Sequence, residues 1–323
     1  MVRIATFNLE NLGGERARAQ FAARAEILRP QIERLRADVL CAQEVNARKQ
    51  GASRRAEELE ELLAPTSYGA HAITVSSGAS GKGPADIHNL AVISRLAVLG
   101  VEDLRHKLVM PALYRRRTAE PPDEAHHAIE WERPIQHVSL QLAGGSVLHL
   151  FNVHLRAPLA ANVPGQKSGP FAWKSVPGWA EGFFLSAVQR AGQALELRLA
   201  IDAVFDVDPE ALIAVCGDFN AQDHDTALRI ACAGEDDTGS GALAGRVLTP
   251  VARSLPADRR FTVLHHGRPE MLDHILASRA LLGRLDHVEI HNETLDDELV
   301  AYGAIDHPPD SLHAPLLAVF NIA

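Results

Sequence analysis

Six strings in the sequence place chemically capable side chains directly after apolar runs: Thr6-Phe7-Asn8-Leu9-Glu10, Gln43-Glu44, Asn152-Val153-His154-Leu155, Gly217-Asp218-Phe219-Asn220, Leu272-Asp273-His274-Ile275-Leu276 and Ser311-Leu312-His313-Ala314-Pro315. They are of two chemical kinds. The carboxylates and amides offer the oxygen atoms that a hard divalent cation takes. The histidines suit phosphate contact or proton transfer near neutral pH. In extended chain residues i and i+2 face the same way, so Asn152 shares a face with His154, and Asp218 with Asn220. Singly, each string has an ordinary reading: Gly-Asp-Phe-Asn is a fair turn sequence, Glu44 suits an exposed strand end, and Asn8 suits a turn cap. Together they describe polar groups converging at strand ends, where rigid supports hold a ligand site.

The elements that must position these groups follow from the spacing of apolar residues. The pattern predicts strands near 2–7, 39–42, 68–75, 89–93, 98–104, 135–142, 147–154, 212–216, 261–265, 271–277, 285–291 and 316–321. Gly144-Gly145 supplies a hairpin turn between two of them. Helical spacing predicts helices over 16–36, with Phe21, Ala25, Leu28, Ile32 and Leu35 on one face, and over 54–63, 184–204 and 225–232. Strands outnumber helices and many are hairpin neighbours, which fits a mixed α/β sandwich better than a purely parallel doubly wound sheet. Ser76–Pro84 and Ala157–Gly182 read as long loops of the kind that cover a site. No linker divides the 323 residues, so a single domain is expected over 1–323.

Composition narrows the function classes. Apolar residues make up 46% and charged residues 23%, as in soluble globular domains, which excludes disordered, collagen-like and disulfide-scaffold chains. A net charge of −9 argues against a broad non-specific coat for nucleic acid, although it leaves room for a local phosphate site. Of the 32 basic residues 27 are arginine, an excess that coding bias accounts for as well as phosphate binding does. Three cysteines without metal-ligand spacing, two of them ending apolar runs (Cys41, Cys216), point to a reducing compartment. No apolar run approaches the ~20 residues of a membrane helix, and the chain enters a strand pattern almost at once. A cytoplasmic protein is expected.

The ordered set Thr-Phe-Asn, Gln-Glu, Ala-Val-Ile-Ser-Arg (Ala91–Arg95), Asn-Val-His-Leu, Gly-Asp-Phe-Asn, Leu-Asp-His-Ile-Leu and His-Ala-Pro-Leu resembles the endonuclease/exonuclease/phosphatase family. The resemblance runs from Ile4 to Phe320 and implies the deoxyribonuclease-I-like four-layer α/β sandwich, two mixed β-sheets flanked by helices. It also implies a divalent-metal-dependent phosphoester hydrolase using Mg²⁺ or Mn²⁺. By that resemblance Glu44 is the principal metal ligand, with Asn8 beside it and Asp218 contributing. Asp218 also orients or deprotonates the attacking water, and Asn220 holds a phosphoryl oxygen or the metal. His313 stabilises the phosphoryl transition state, Asp273 orients it, His154 lies near the leaving oxygen, and Asn152 contacts substrate. The expected substrate is a phosphoester, foremost a nucleic acid cleaved by in-line attack of water. The alternative is a phosphatase of small phosphoesters such as inositol phosphates or lipid headgroups.

One departure from the family pattern stands out. An acid usually precedes the terminal histidine, and here that position is Leu312. It places a second metal position in question and motivates a minority reading, a catalytically impaired phosphate-binding protein. Asp306-His307-Pro308-Pro309 is a competing match, set aside because His313, not His307, leads directly into the last strand. Arg105, Lys107 and Arg115-Arg116-Arg117, with Trp131 nearby, form a basic segment that suits a second phosphate, a strand backbone or simply a solvated loop. His126-His127 reads as surface. Trp173 and Trp179 suit a lid, a stacking platform or plain loop packing.

Overall fold

The structure is a computed structural model that describes residues 1–14, 20–51, 53–170, 172–304 and 309–322. Twelve strands build two large sheets: β1 (Val2–Leu12), β2 (Val39–Val45), β3 (Ala72–Val75), β4 (Asn89–Ser94), β5 (Ala97–Leu104), β6 (Ile135–Gln141), β7 (Val147–His154), β8 (Leu212–Asp218), β9 (Leu248–Pro250), β10 (Asp273–Ser278), β11 (Leu285–Ile290) and β12 (Leu316–Phe320). The first sheet has the order β11-β12-β1-β2-β4-β3 and the second β9-β10-β8-β7-β6-β5. Each has one parallel pair, β1 with β2 and β7 with β8, among antiparallel neighbours. Three two-stranded ribbons at 48–55, 113–128 and 263–270 lie outside the two sheets.

The sheets pack face to face, and both faces of each are covered. Ile4, Val39, Cys41 and Val92 of the first sheet meet Val138, Leu140, Leu150, Ala214, Cys216 and Ile275 of the second in one buried cluster. On the outer face of the first sheet Ala5, Phe7, Leu40 and Ala42 pack under α1 (Phe21–Leu35) and α2 (Glu57–Leu63). Phe151, Val153, Ile213 and Val215 do the same under α3 (Val176–Val207) and α4 (Thr226–Cys232). The result is the expected four-layer sandwich. Strands buried on both faces read as continuous apolar runs rather than alternating ones, as Val39-Leu40-Cys41-Ala42 does.

Two expectations need correction. The helix expected from 184 begins at Val176, inside the stretch read as a loop. Ser175 caps it by accepting from the Gly178 N–H, and Pro177 sits in the first turn, where no helical N–H is needed. Gly178 and Gly182 would disfavour a free helix, yet here they admit close approach: a Cβ would overlap Gln166 and the Ala161 carbonyl, respectively. The helix expected from 54 begins at Glu57 instead, because Ser53–Arg55 pairs with Arg48–Gln50. The first turn expected for α1 and the Asp306-His307 match fall outside the described residues.

Candidate active site

Strand register, not loop wandering, assembles the site. β7, β8 and β10 are neighbours, and His154, Asp218 and Asp273 are Cα partners in one row across them. Three side chains far apart in sequence therefore stand side by side at one sheet edge. Gly217, just before Asp218, is needed because β7 runs so close that a Cβ would overlap the Val153 carbonyl, and its φ is +140°. The first sheet brings Asn8 and Glu44 to the same place through the parallel β1–β2 pair, in which Asn8 is opposite Gln43.

The two sheets meet at Asn8. Its Nδ2 donates to Asp218 Oδ2 at 3.1 Å and to Glu44 Oε1 at 3.3 Å, while its Oδ1 accepts from the Glu10 N–H at 2.9 Å. Asn8 thus bridges the two carboxylates, with its oxygen accepting from the backbone. Glu44 is further fixed by the Asn11 N–H at 3.0 Å. His154 Nε2 lies 3.4 Å from Asp218 Oδ2 and 3.8 Å from Glu44 Oε1. Asp218 Oδ1 accepts from the Asn220 N–H at 2.8 Å, and Asn220 Nδ2 bonds Leu155 O at 3.1 Å and Asp218 Oδ2 at 3.2 Å. Asn220 thus positions Asp218. On the other side His313 Nδ1 and Asp273 Oδ2 are 2.8 Å apart.

Asn152, expected to contact substrate, is placed elsewhere. It is fully buried, donates to the carbonyls of Ala42 and Ala91, and accepts from Gln43 Nε2 at 2.8 Å. Its amide is spent tying one sheet to the other.

The electrostatics are those of a buried acidic centre. Burial, and then the charge of Asp273, push Asp218 up to about 7. Burial also works against a charged His313, but Asp273, by charge and hydrogen bond, together with Asp218 and Glu10, outweighs it, so His313 is held protonated well above its ordinary range. His154 is driven the other way by burial and by Arg133, and stays neutral. Asp273 Oδ1 is buried without a hydrogen-bond partner. Asp218, Asp273 and His313 bring ligand atoms within 4.8 Å of one another, and Glu44 and Asp218 direct oxygens at the same Asn8 amide nitrogen. A donor set of carboxylates, one ionised only at a cost, suits a divalent cation, which would favour the charged form of Asp218.

Three further residues stand at this centre: Glu10, which the first polar string contains but to which no role is given, and His88 and Arg133, which lie beyond the sequence reading. Glu10 Oε2 accepts from the Leu312 N–H at 2.8 Å, so a carboxylate borders the position where Leu312 replaces the family's acid. Nearby, Asp310 Oδ1 accepts from Gln31 Nε2 at 3.0 Å and from the Ser311 N–H at 2.7 Å. His88 Nε2 donates to Asn11 Oδ1 at 2.8 Å and lies 3.9 Å from Glu44 Oε2. Arg133 bonds the Leu155 carbonyl at 3.1 Å, within the field of Glu44 and Asp218. His88 stands immediately before β4 and Arg133 two residues before β6, each strand antiparallel to one whose end carries site residues. That is the signal: the start of an antiparallel strand lies beside the end of its neighbour. Glu10, Asn11, Glu44, His88 and Asn220 all have φ between 45° and 58°, left-handed backbone that non-glycine residues adopt at a cost.

Of the basic segment, Arg116 is paired with Asp123 at 2.6 Å, while Arg115 and Arg117 are exposed. Trp131 is buried, Trp173 lies under Lys167, and Trp179 stacks on Phe183. Among the described residues no helix is long and apolar enough to cross a membrane.

Comparison with solved structures finds the same fold over essentially the whole chain. A truncated TDP2 from Caenorhabditis elegans aligns with TM-score 0.56 at 15% identity, over 99% of this chain and 96% of that one. An AP endonuclease from Archaeoglobus fulgidus aligns at 0.53 and 16% over 100% of both. An endonuclease/exonuclease/phosphatase from Bacteroides vulgatus aligns at 0.59 and 17%, over 100% and 99%. No curated protein matches. The model of the Endonuclease/Exonuclease/phosphatase family matches residues 5–292, and the chain belongs to that family.

Proposed function

We propose that this protein is a divalent-metal-dependent phosphodiesterase of the nuclease type, hydrolysing its substrate by in-line attack of water. The observation that carries the reading is the row His154–Asp218–Asp273, with His313 on Asp273 and Glu44 sharing the Asn8 amide nitrogen with Asp218. In it, Asp218, fixed by Asn8 and Asn220, orients the attacking water and takes its proton. His313, kept as imidazolium by Asp273, stabilises the charge on the phosphoryl oxygens. Neutral His154 offers its Nε2–H to the leaving oxygen. When bound at Glu44 and Asp218, Mg²⁺ or Mn²⁺ supplies positive charge to the phosphoryl group. Three buried, unpaired thiols suit the reducing cytoplasm as the working compartment.

The test is a screen of purified protein against plasmid DNA, single-stranded RNA, abasic DNA and inositol phosphates, with and without Mg²⁺ or Mn²⁺. Cleavage of a nucleic acid supports the nuclease reading. Turnover of inositol phosphates alone moves the protein to the phosphatase class. Binding of phosphate without turnover of any substrate favours the impaired reading that Leu312 suggests.

A further inference from the structure

Beside the hydrolytic centre lies a cavity of about 540 Å³, bounded by the loop 76–79 and 85–89 on one side and by 105–106 and 130–134 on the other. It is continuous with the site, since His88 and Arg133 line it and also border Glu44. Its other chemistry is independent of the catalytic residues. The Arg105 side chain is held over the cavity by the Glu132 carbonyl at 2.6 Å, a contact that orients the guanidinium without neutralising it. Arg133 is likewise held by a backbone carbonyl. Asp86, the acid in the opposite wall, is taken up by Arg54 at 2.6 Å, and Glu130 and Glu132 are exposed.

The segment presenting Arg105 is firmly built. Buried Glu196 accepts the N–H groups of His106, Lys107 and Leu108 at 2.7–3.0 Å and the Trp131 indole N–H at 3.2 Å. That network holds His106 in left-handed backbone, φ 56°, with its ring 4.0 Å from that of Trp131. Both ring nitrogens of His106 are buried, and neither has a protein hydrogen-bond partner. The buried Glu196 carboxylate thus fixes the wall from which Arg105 reaches over the cavity.

We propose that this cavity is a subsite for a second phosphate carried by the same substrate, with Arg105 as its charged contact. The proposal rests on the hydrolase reading and sharpens it, because a substrate with one phosphate cannot use the subsite. A guanidinium anchored by a carbonyl keeps donors for bidentate contact with phosphate oxygens. Two sources share this chemistry, a nucleotide strand and an inositol polyphosphate.

The experiment compares kcat/KM for a single-stranded oligonucleotide, inositol bisphosphate and bis(p-nitrophenyl) phosphate, which has a single phosphate, in the full-length protein and in Arg105→Ala and Arg105→Lys. The expected result is a tenfold or larger fall, in Arg105→Ala, of the ratio between a multi-phosphate substrate and bis(p-nitrophenyl) phosphate, with a smaller fall in Arg105→Lys. Which multi-phosphate substrate shows the fall identifies the source. Ratios that do not move, or turnover of bis(p-nitrophenyl) phosphate alone, overturn the subsite and leave the hydrolase reading standing. If nothing is hydrolysed the hydrolase reading fails, and anisotropy of a labelled oligonucleotide in chelator decides the subsite: weaker binding and a shallower salt dependence in Arg105→Ala support it, and unchanged binding overturns it.

Discussion

Asn8 and Asp218 are 210 positions apart in the sequence and joined by a 3.1 Å hydrogen bond between the two sheets. Because the same amide nitrogen also meets Glu44, one side chain sets the spacing of the two carboxylates on which the chemistry depends. Asn8→Ala removes that clamp while leaving both acids in place. Turnover is expected to fall by about two orders of magnitude, since small misplacements of reacting groups cost that much, with a smaller effect on thermal unfolding. Equal losses in both would mean Asn8 acts on the fold alone.

The His313–Asp273 pair makes a signed pH prediction. His313 titrates above its ordinary range because of Asp273, so activity that needs the imidazolium persists through neutral pH and declines only as pH rises through that raised value. Asp273→Asn removes the negative charge, and the alkaline limb of the kcat profile moves to lower pH. His313→Ala is expected to abolish turnover and His307→Ala to leave it nearly unchanged. The reverse pattern would assign the terminal motif to His307.

Away from the site, His137 stacks on Phe151 and lies 3.1 Å from His149. Burial, and then His149, push its pKa down to about 4. The folded protein thus binds this proton less readily than the unfolded chain, so stability is full above about pH 6.5 and falls as pH drops toward 4. In His137→Gln the unfolding free energy from urea denaturation should vary less steeply across that window, by up to about 1.4 kcal/mol per pH unit. An identical slope would show that His137 is not desolvated in solution.

Asn152 predicts a stability effect rather than a catalytic one. Asn152→Ala takes the Asn152 donor from the buried Ala42 and Ala91 carbonyls, while Gln43 Nε2 keeps Thr6 Oγ1 and the Cys41 carbonyl. At 1–3 kcal/mol per stranded group, a loss of about 3 kcal/mol is expected. Denaturant unfolding measures it, and a stable variant with weakened substrate binding would return Asn152 to the site.

What was legible in the sequence depended on geometry. Strands buried on both faces announced themselves as apolar runs, and the polar residues closing them marked Glu44, His154 and Asp218. The sequence offered no measure of how deep each residue lies, so Asn152, on the same face as His154 but two residues further into the sandwich, read as a site residue. Arg133 and His88 were missed because they precede their strands; only the antiparallel pairing brings them to the site. The start of α3 was hidden by Pro177, Gly178 and Gly182, whose reasons for being there lie in Gln166 and Ala161, distant in sequence.

The most direct measurement is the initial rate of phosphodiester hydrolysis by the purified protein as free Mg²⁺ or Mn²⁺ is raised from a chelated start, for the parent and for Glu44→Gln. The expected result is no hydrolysis in chelator, full recovery on adding either cation, and a Glu44→Gln variant that stays folded, needs more cation and turns over orders of magnitude more slowly. Hydrolysis that survives chelation, or that Glu44→Gln leaves intact, would contradict the account.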